Sequence, residues 1–276
     1  MSGVGGAEDR VEALLDEAEQ AVDAGEGARA LRLCDQAQAL LPEHAGAWYV
    51  RGEALRSLGR LEDALVAYRA AALRRSDHAA SWAALASTSF DLFRMDEAWR
   101  AATRALREDP GDPEAWWVRG LVREWRGDLE GARRCEAHAW RLAPDAYPLP
   151  PGLSDDEVEE LVTDALMYMP AGIRDYLADV AIVLDEIPDE DTCRAYDPPA
   201  SPTELLGFFS GASLMERSSQ DPWSQLPGTI VLFRRNLARL CVNRDELIDQ
   251  LRITLFHEVG HFLGLDEDDL AACDLD

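Results

Sequence analysis

The chain has 276 residues with 53 acidic and 27 basic side chains, which gives a formal net charge of −26. Residues 1–150 hold 26 acidic and 19 basic residues (net −7), and residues 151–276 hold 27 and 8 (net −19). Such a surface repels phosphate backbones and anionic lipids, so nucleic acid and membranes are excluded as expected partners. No apolar run reaches the ~18 residues of a membrane helix. With 47% hydrophobic residues, the length suggests about two domains.

The cysteines and the N-terminus both bear on the compartment. Cysteines are five in number, widely scattered and without a Cys-x-x-Cys pair: Cys34, Cys135, Cys193, Cys241 and Cys273. They form no disulfide framework, so free thiols in a reducing compartment are expected. Residues 1–10 show no apolar stretch behind a positive segment, so no secretory signal is predicted. Together these features predict a cytoplasmic protein.

An internal repeat occupies the first half of the chain. Its most visible marker is a tryptophan that recurs every 34 residues: Trp48, Trp82 and Trp116. Small residues follow each tryptophan by four, sixteen and twenty-three positions: Gly52, Ala86, Gly120, Ala64, Ala98, Ala132, Ala71, Ala105 and Ala139. Prolines close two of the units, Pro110 and Pro144. The period predicts four units, at about 11–44, 45–78, 79–112 and 113–146.

Each unit is expected to form two packed helices, because small residues allow close helix approach and proline ends the second helix. This pattern resembles the tetratricopeptide repeat (TPR) in its period and its small, aromatic and proline positions. The resemblance implies an all-α superhelix that binds a protein or peptide partner, with a pure scaffold or dimerisation role as the alternative. Arg51, Arg119 and Arg123 are either a basic patch for an acidic tail or ordinary solvated charges.

A proline-rich stretch separates the repeats from a second domain. We expect residues 1–147 to form the repeats, residues 148–153 a stiff linker and residues 154–276 a small α+β domain. In that domain a helix is predicted to begin at Ser154 and to stop at Pro170. Strands are predicted at residues 180–184, 205–209 and 229–233.

The residues that point to chemistry lie in the last predicted helix. This helix starts at a capping-box variant, Asn243 with Glu246, and carries the sequence His257-Glu258-Val259-Gly260-His261 near its end. Histidines four residues apart share one helix face, so both imidazoles can reach one metal ion. This is the His-Glu-x-x-His signature of zinc metallopeptidases, with Glu258 in the general-base position.

The residues after the motif suggest a third ligand. Gly264 is placed to end the helix in a left-handed turn, and the acidic residues 266–269 follow at once. The spacing resembles the metzincin pattern with Glu267 where a third histidine would stand. Glu267 is therefore the predicted third zinc ligand, with Asp266 and Asp268 as alternatives.

The region from about residue 154 to residue 270 resembles the bacterial minimal zincin-like metallopeptidases. That resemblance implies a zinc site on a short sheet and a single helix, and peptide-bond hydrolysis with Glu258 as the base. The strand at residues 229–233 is expected to pair with an extended substrate, and Arg217 is a candidate for charge pairing. Two alternatives remain: a TPR adaptor whose zinc-binding domain is catalytically idle, and a purely structural zinc ion.

Overall fold

The computed structural model describes residues 2–152, 154–177, 180–212 and 228–265. The chain divides into two compact units, Met1–Tyr147 and Pro148–Asp276. Among the described residues, no helix is both long enough and apolar enough to cross a membrane.

The described part of the first unit contains eight helices, joined by short turns into four pairs. Their bounds are α1 (Ser2–Asp23), α2 (Gly27–Leu40), α3 (Ala45–Ser57), α4 (Leu61–Arg74), α5 (Ala79–Asp91), α6 (Met95–Glu108), α7 (Pro113–Trp125) and α8 (Leu129–Leu142). Each pair coincides with one predicted 34-residue unit. The all-α repeat architecture that the sequence predicts is therefore confirmed for this half.

Small residues lie where the helices cross, as the period predicts. Ala64, Ala98 and Ala132 are fully buried. At Gly52 an added Cβ would lie 2.5 Å from the ring of Tyr68, so only glycine allows this approach. These positions set the distance between the two helices of a unit.

The repeated tryptophans join successive units. The indole N–H of Trp48 donates to the carbonyl of Pro42 at 3.0 Å, and Trp116 donates to Pro110 at 2.9 Å. Trp82 makes the same bond to Ser76 at 3.0 Å, although serine replaces proline there. The tryptophan therefore ties the start of its own unit to the end of the unit before.

A further 34-residue period appears only in the backbone. The turns inside the four pairs place Gly25, Gly59, Phe93 and Gly127 at positive φ. Glycine adopts this conformation without steric cost, whereas Phe93, with φ of 57°, does not. Its ring lies 5.5 Å from that of Trp125, which holds the residue in place.

The described part of the second unit contains five helices and three strands. Their bounds are α9 (Asp155–Met167), α10 (Ala171–Leu177), β1 (Ala181–Asp185), α11 (Glu190–Arg194), β2 (Gly207–Ser210), β3 (Thr229–Phe233), α12 (Arg234–Arg239) and α13 (Arg244–Leu263). The strand order is β1-β3-β2, with β1 parallel and β2 antiparallel to β3. The small α+β fold is confirmed. β1 begins one residue and β2 two residues later than predicted, and the short helices α10, α11 and α12 were not predicted.

One hydrophobic core holds this unit together. The side chains of α9, β3 and α13 share it, and its fully buried members include Ile230, Leu255 and Phe262. At the surface, Arg244 at the start of α13 pairs with Glu157 of α9 at 2.6 Å. α13 is therefore central to the packing of the unit, and it is also the helix that carries the His-Glu-x-x-His motif.

Candidate metal centre

The ends of α13 follow the expected local rules. Asn243 caps the helix by accepting from the backbone N–H of Glu246 at 2.9 Å. The carboxylate of Glu246 turns back to the backbone N–H of Val242 at 2.9 Å, one residue earlier than in an ideal capping box. At the other end Gly264 adopts a left-handed conformation with φ of 95°, and the N–H of Leu265 bonds to the carbonyl of Gly260 at 3.0 Å.

The two histidines of the motif face each other on α13. The Nε2 atoms of His257 and His261 are 3.0 Å apart, and their ring centroids are 4.7 Å apart. Two imidazole nitrogens at zinc-ligand distance from one tetrahedral ion lie about 3.3 Å apart. The pair thus needs a shift of only a few tenths of an ångström to hold a single ion.

A backbone contact orients one of these rings. The Nδ1 atom of His261 lies 3.2 Å from the carbonyl oxygen of Leu265. Because a carbonyl only accepts, Nδ1 carries the hydrogen and Nε2 keeps its lone pair. Such an outer hydrogen bond is the usual way in which a metal-binding histidine is fixed. The left-handed turn at Gly264 brings this carbonyl back to the ring.

The predicted third ligand lies outside the described residues, as do its alternatives: Glu267, Asp266 and Asp268. Arg217 also lies outside them. Within the part of the chain that the structure describes, no three His, Cys, Asp or Glu side chains come together as a metal-binding group. The structure therefore brings two of the three predicted ligands together, and Glu267 remains a prediction.

Glu258 and both histidines line a pocket of about 310 Å³. Glu258 is only 5% exposed, so its carboxylate lies in surroundings that contain little water. The opposite wall belongs to the segment that leads into β2, with Glu204 and Gly207 among its residues. The pocket thus lies between the motif helix and the edge of the sheet.

The position of β2 depends on a glycine. A Cβ at Gly207 would lie 2.8 Å from the carbonyl oxygen of Val231 and 3.3 Å from the side chain of Thr254 on α13. Only glycine therefore lets β2 approach both β3 and α13 so closely.

The expectation that the strand at residues 229–233 pairs with substrate is wrong. This strand is β3, the centre of the described sheet, and its backbone pairs with β1 on one side and with β2 on the other. In the described sheet β2 is instead an edge strand, and its residues line the pocket. A strand with two neighbours has no free hydrogen-bonding edge for a third partner.

Several pocket residues were missed at the sequence level: Tyr196, Glu204, Gln250, Ile253 and Thr254. Two of them had a usable signal, because Gln250 and Thr254 lie on the helix face that continues to His257 and His261. The first two are on a distant segment that only the tertiary structure brings to α13.

The three arginines named in the repeats do not form one patch. Arg51 on α3 pairs with Asp35 of α2 at 2.5 Å, which neutralises it. Arg119 and Arg123 lie one turn apart on α7 and line a groove with residues of α8. The basic feature is therefore confined to the fourth unit.

The comparisons with known proteins identify both halves. A family model described as "Zincin-like metallopeptidase" matches residues 177–275. A second model, "Tetratricopeptide repeat", matches residues 15–81 and 84–147. Among curated proteins, none matches this chain.

Three similar solved structures each align with about half of the chain. A crystal structure of MamA is 22% identical, covers 49% of this chain and 80% of its own, and has a TM-score of 0.44. A thermophilic TPR protein of Thermus thermophilus is 21% identical over 49% of this chain and 75% of its own, with a TM-score of 0.45. Pseudomonas aeruginosa pilF is 18% identical over 51% and 64%, with a TM-score of 0.48. From the family models, the chain carries tetratricopeptide repeats at residues 15–147 and a zincin-like metallopeptidase domain at residues 177–275.

Proposed function

We propose that the chain is a zinc-dependent peptidase whose repeats bind a partner protein or the substrate. The observation that carries this proposal is the pair of Nε2 atoms, 3.0 Å apart on α13, beside the buried carboxylate of Glu258. The match to zincin-like metallopeptidases over residues 177–275 supports the same chemistry.

The donor set suits zinc. His257 and His261 supply two imidazole nitrogens, and Glu267 supplies a carboxylate just after the glycine turn, with Asp266 and Asp268 as alternatives. Two histidines and one carboxylate are a common ligand set of catalytic zinc sites. When bound, zinc supplies Lewis acidity to the scissile carbonyl and lowers the pKa of water toward ~7.

The protein's own groups then perform the proton transfers. Glu258 accepts the proton from the attacking water at its carboxylate and passes it to the amine of the leaving peptide. Its burial favours this role, because a carboxylate that is poorly solvated is a stronger base. The carbonyl of Leu265 keeps the ring of His261 in the orientation that the site requires.

The substrate is proposed to bind along β2. Its exposed hydrogen-bonding edge takes an extended peptide as an additional strand, and the pocket takes a side chain next to the scissile bond. Glu204 lies in the pocket wall, and its charge favours a basic side chain at that position.

A cytoplasmic location is part of the proposal. The cysteines in the described residues are free and buried: Cys34, Cys135, Cys193 and Cys241. Burial raises the pKa of the thiols of Cys34 and Cys193, each to about 11. Such thiols are poor nucleophiles, which agrees with catalysis by Glu258 instead of a cysteine.

The metal content of the purified protein tests the proposal. We expect about one zinc ion per chain in the wild type, and its loss in His257→Ala. The matched control is His44→Ala, which removes an imidazole from the repeats and should leave zinc unchanged. Equal zinc in both variants would contradict the site.

A peptide-library digest with the zinc-loaded wild type then addresses turnover. Cleavage that a chelator abolishes and added zinc restores would support the peptidase. Bound zinc without cleavage of any peptide would instead favour the idle adaptor, and unfolding of the second unit on chelation would favour a structural ion.

A further inference from the structure

A basic groove of about 490 Å³ lies between α7 and α8 in the fourth repeat. Its lining includes four arginines, Arg119, Arg123, Arg134 and Arg141, together with the indole of Trp116. The fourth unit as a whole, residues 113–146, holds six Arg and six Asp or Glu and is therefore neutral in a chain of charge −26. Its positive charge is concentrated in this groove.

The third repeat shows how the groove became basic. One period earlier, Leu85 stands in place of Arg119, Ser89 in place of Arg123, and Glu97 in place of Gly131. Each of these three differences raises the local charge by one. Leu85 and Ser89 are buried, so the third repeat fills the equivalent position with uncharged side chains.

Gly131 makes room for one of the arginines. A Cβ at this position would collide with the guanidinium of Arg123 and the carboxylate of Asp128. Arg123 pairs with Asp128 at 2.7 Å, and Arg134 pairs with Glu130. These two arginines are thus partly neutralised at the rim of the groove.

Arg119 carries the uncompensated charge. Its guanidinium lies 4.7 Å from the ring centre of Trp99 and 5.3 Å from that of Trp116, and its Nε atom is buried without a hydrogen-bond partner. No carboxylate in the described residues forms an ion pair with it. Burial and the nearby charge of Arg123 lower the pKa of Arg119, as expected for a cation that lacks a counter-ion.

Arg141 is a second cation at the groove. It is exposed, and its guanidinium contacts the ring of His138 at 3.0 Å. His138 in turn lies 4.2 Å from Trp116 between ring centres. The groove therefore combines positive charge with an aromatic surface, which suits a ligand that has both carboxylates and an apolar side chain.

We propose that this groove binds a short acidic segment of a partner protein. The carboxylates of the segment contact Arg119 and Arg141, and an apolar side chain packs on Trp116. The inference rests on the partner-binding part of the proposed function and is independent of zinc and of Glu258. A long polyanion or an anionic membrane is a worse ligand, because the net charge of −26 repels it beyond the groove.

Fluorescence anisotropy with a labelled decapeptide of alternating Glu and Leu tests the proposal on the full chain. We expect the peptide to bind, and Arg119→Leu to weaken binding at least about tenfold, as for loss of a charge-assisted contact. Leucine is the residue of the third repeat at this position, so the variant should fold, which circular dichroism melting checks. Arg107→Ala, which removes an exposed arginine of α6 one period before Arg141, should bind like the wild type.

Two results would overturn the proposal. One is equal binding of the peptide by the wild type and Arg119→Leu, or by a decapeptide with Gln in place of Glu. The other is absence of peptide binding together with binding of phosphatidylserine vesicles that Arg119→Leu abolishes, which would assign the groove to a membrane. Because the assay needs neither metal nor cleavage, its failure is distinct from failure of the peptidase.

Discussion

The two units of this protein use their informative residues in opposite ways. In the repeats each structural role recurs every 34 residues, as at Ala64, Ala98 and Ala132, which are all fully buried. In the second unit each role of the candidate site falls on one residue, and His257, Glu258 and His261 lie on one helix. Redundant roles tolerate departures such as Ser76 or Phe93, whereas the single site does not.

The difference extends to stability. In the repeats, packing is between neighbouring helices, so a local change is expected to act mainly on the adjacent units. In the second unit α13 supplies both the core, through Leu255 and Phe262, and the candidate site. A change in this helix is therefore expected to alter folding and chemistry together, which separates the two units experimentally.

The largest expected effect is on catalysis. Glu258→Gln keeps the size of the side chain but removes the base, so kcat should fall by about 10²–10⁴-fold with zinc retained. Asp249→Asn is the matched control, since Asp249 is an exposed acid of α13 paired with Arg252. Peptide cleavage measures both variants. Undiminished cleavage by Glu258→Gln would rule out the proposed mechanism.

A matched pair of core variants sharpens the comparison of stability. Leu65 and Leu255 are both fully buried, one in each unit, so Leu→Ala at either should cost about 2–5 kcal/mol of unfolding free energy. Only Leu255→Ala should reduce cleavage of a short peptide. Seven of the eight tryptophans lie in the repeats, so tryptophan fluorescence in urea should report Leu65→Ala selectively. Equal loss of cleavage in both variants would mean that the units do not fold independently.

The next effect concerns the pocket wall. Gly207→Ala places a methyl group 2.8 Å from the carbonyl of Val231, so β2 must shift, at a cost of about 1–3 kcal/mol. We expect thermal inactivation at a lower temperature and a higher KM. Gly152→Ala serves as the control, because a Cβ there has no neighbour within 4 Å. If both variants behave like the wild type, the close approach of β2 to α13 is not needed.

The smallest expected effect is a pH dependence confined to the second unit. Hydrogen bonds from the backbone and hydroxyl of Ser154, together with Arg244, lower the pKa of Glu157 from 4.5 to about 2. A lowered pKa in the folded state adds stability above pH 4.5, and this gain is lost as the pH falls from 4.5 toward 2. Urea titrations across that range should show a steeper acid loss for the wild type than for Glu157→Gln. Identical slopes would exclude this contribution.

Most of the repeat half was predictable because its signals are local and repeated. The tryptophan and small-residue positions depend on helix crossings within about 34 residues, and four copies average out departures. The turn period at Gly25, Gly59, Phe93 and Gly127 was harder to see, since Phe93 hides it. In the second unit, Asn243 and Gly264 marked the ends of α13 correctly because caps are decided by a few neighbouring residues.

The amino-acid sequence by itself determined the helical period, the two-domain division of signals and the spacing that brings His257 and His261 onto one helix face. These depend on backbone geometry over a few residues, which neighbouring side chains specify. Only the tertiary structure decided that β3 is a central strand, that β2 and Glu204 line the pocket, and that Arg119 and Arg141 share a groove. Strand order and grooves arise from contacts between segments far apart in sequence, and no local pattern encodes which segments meet.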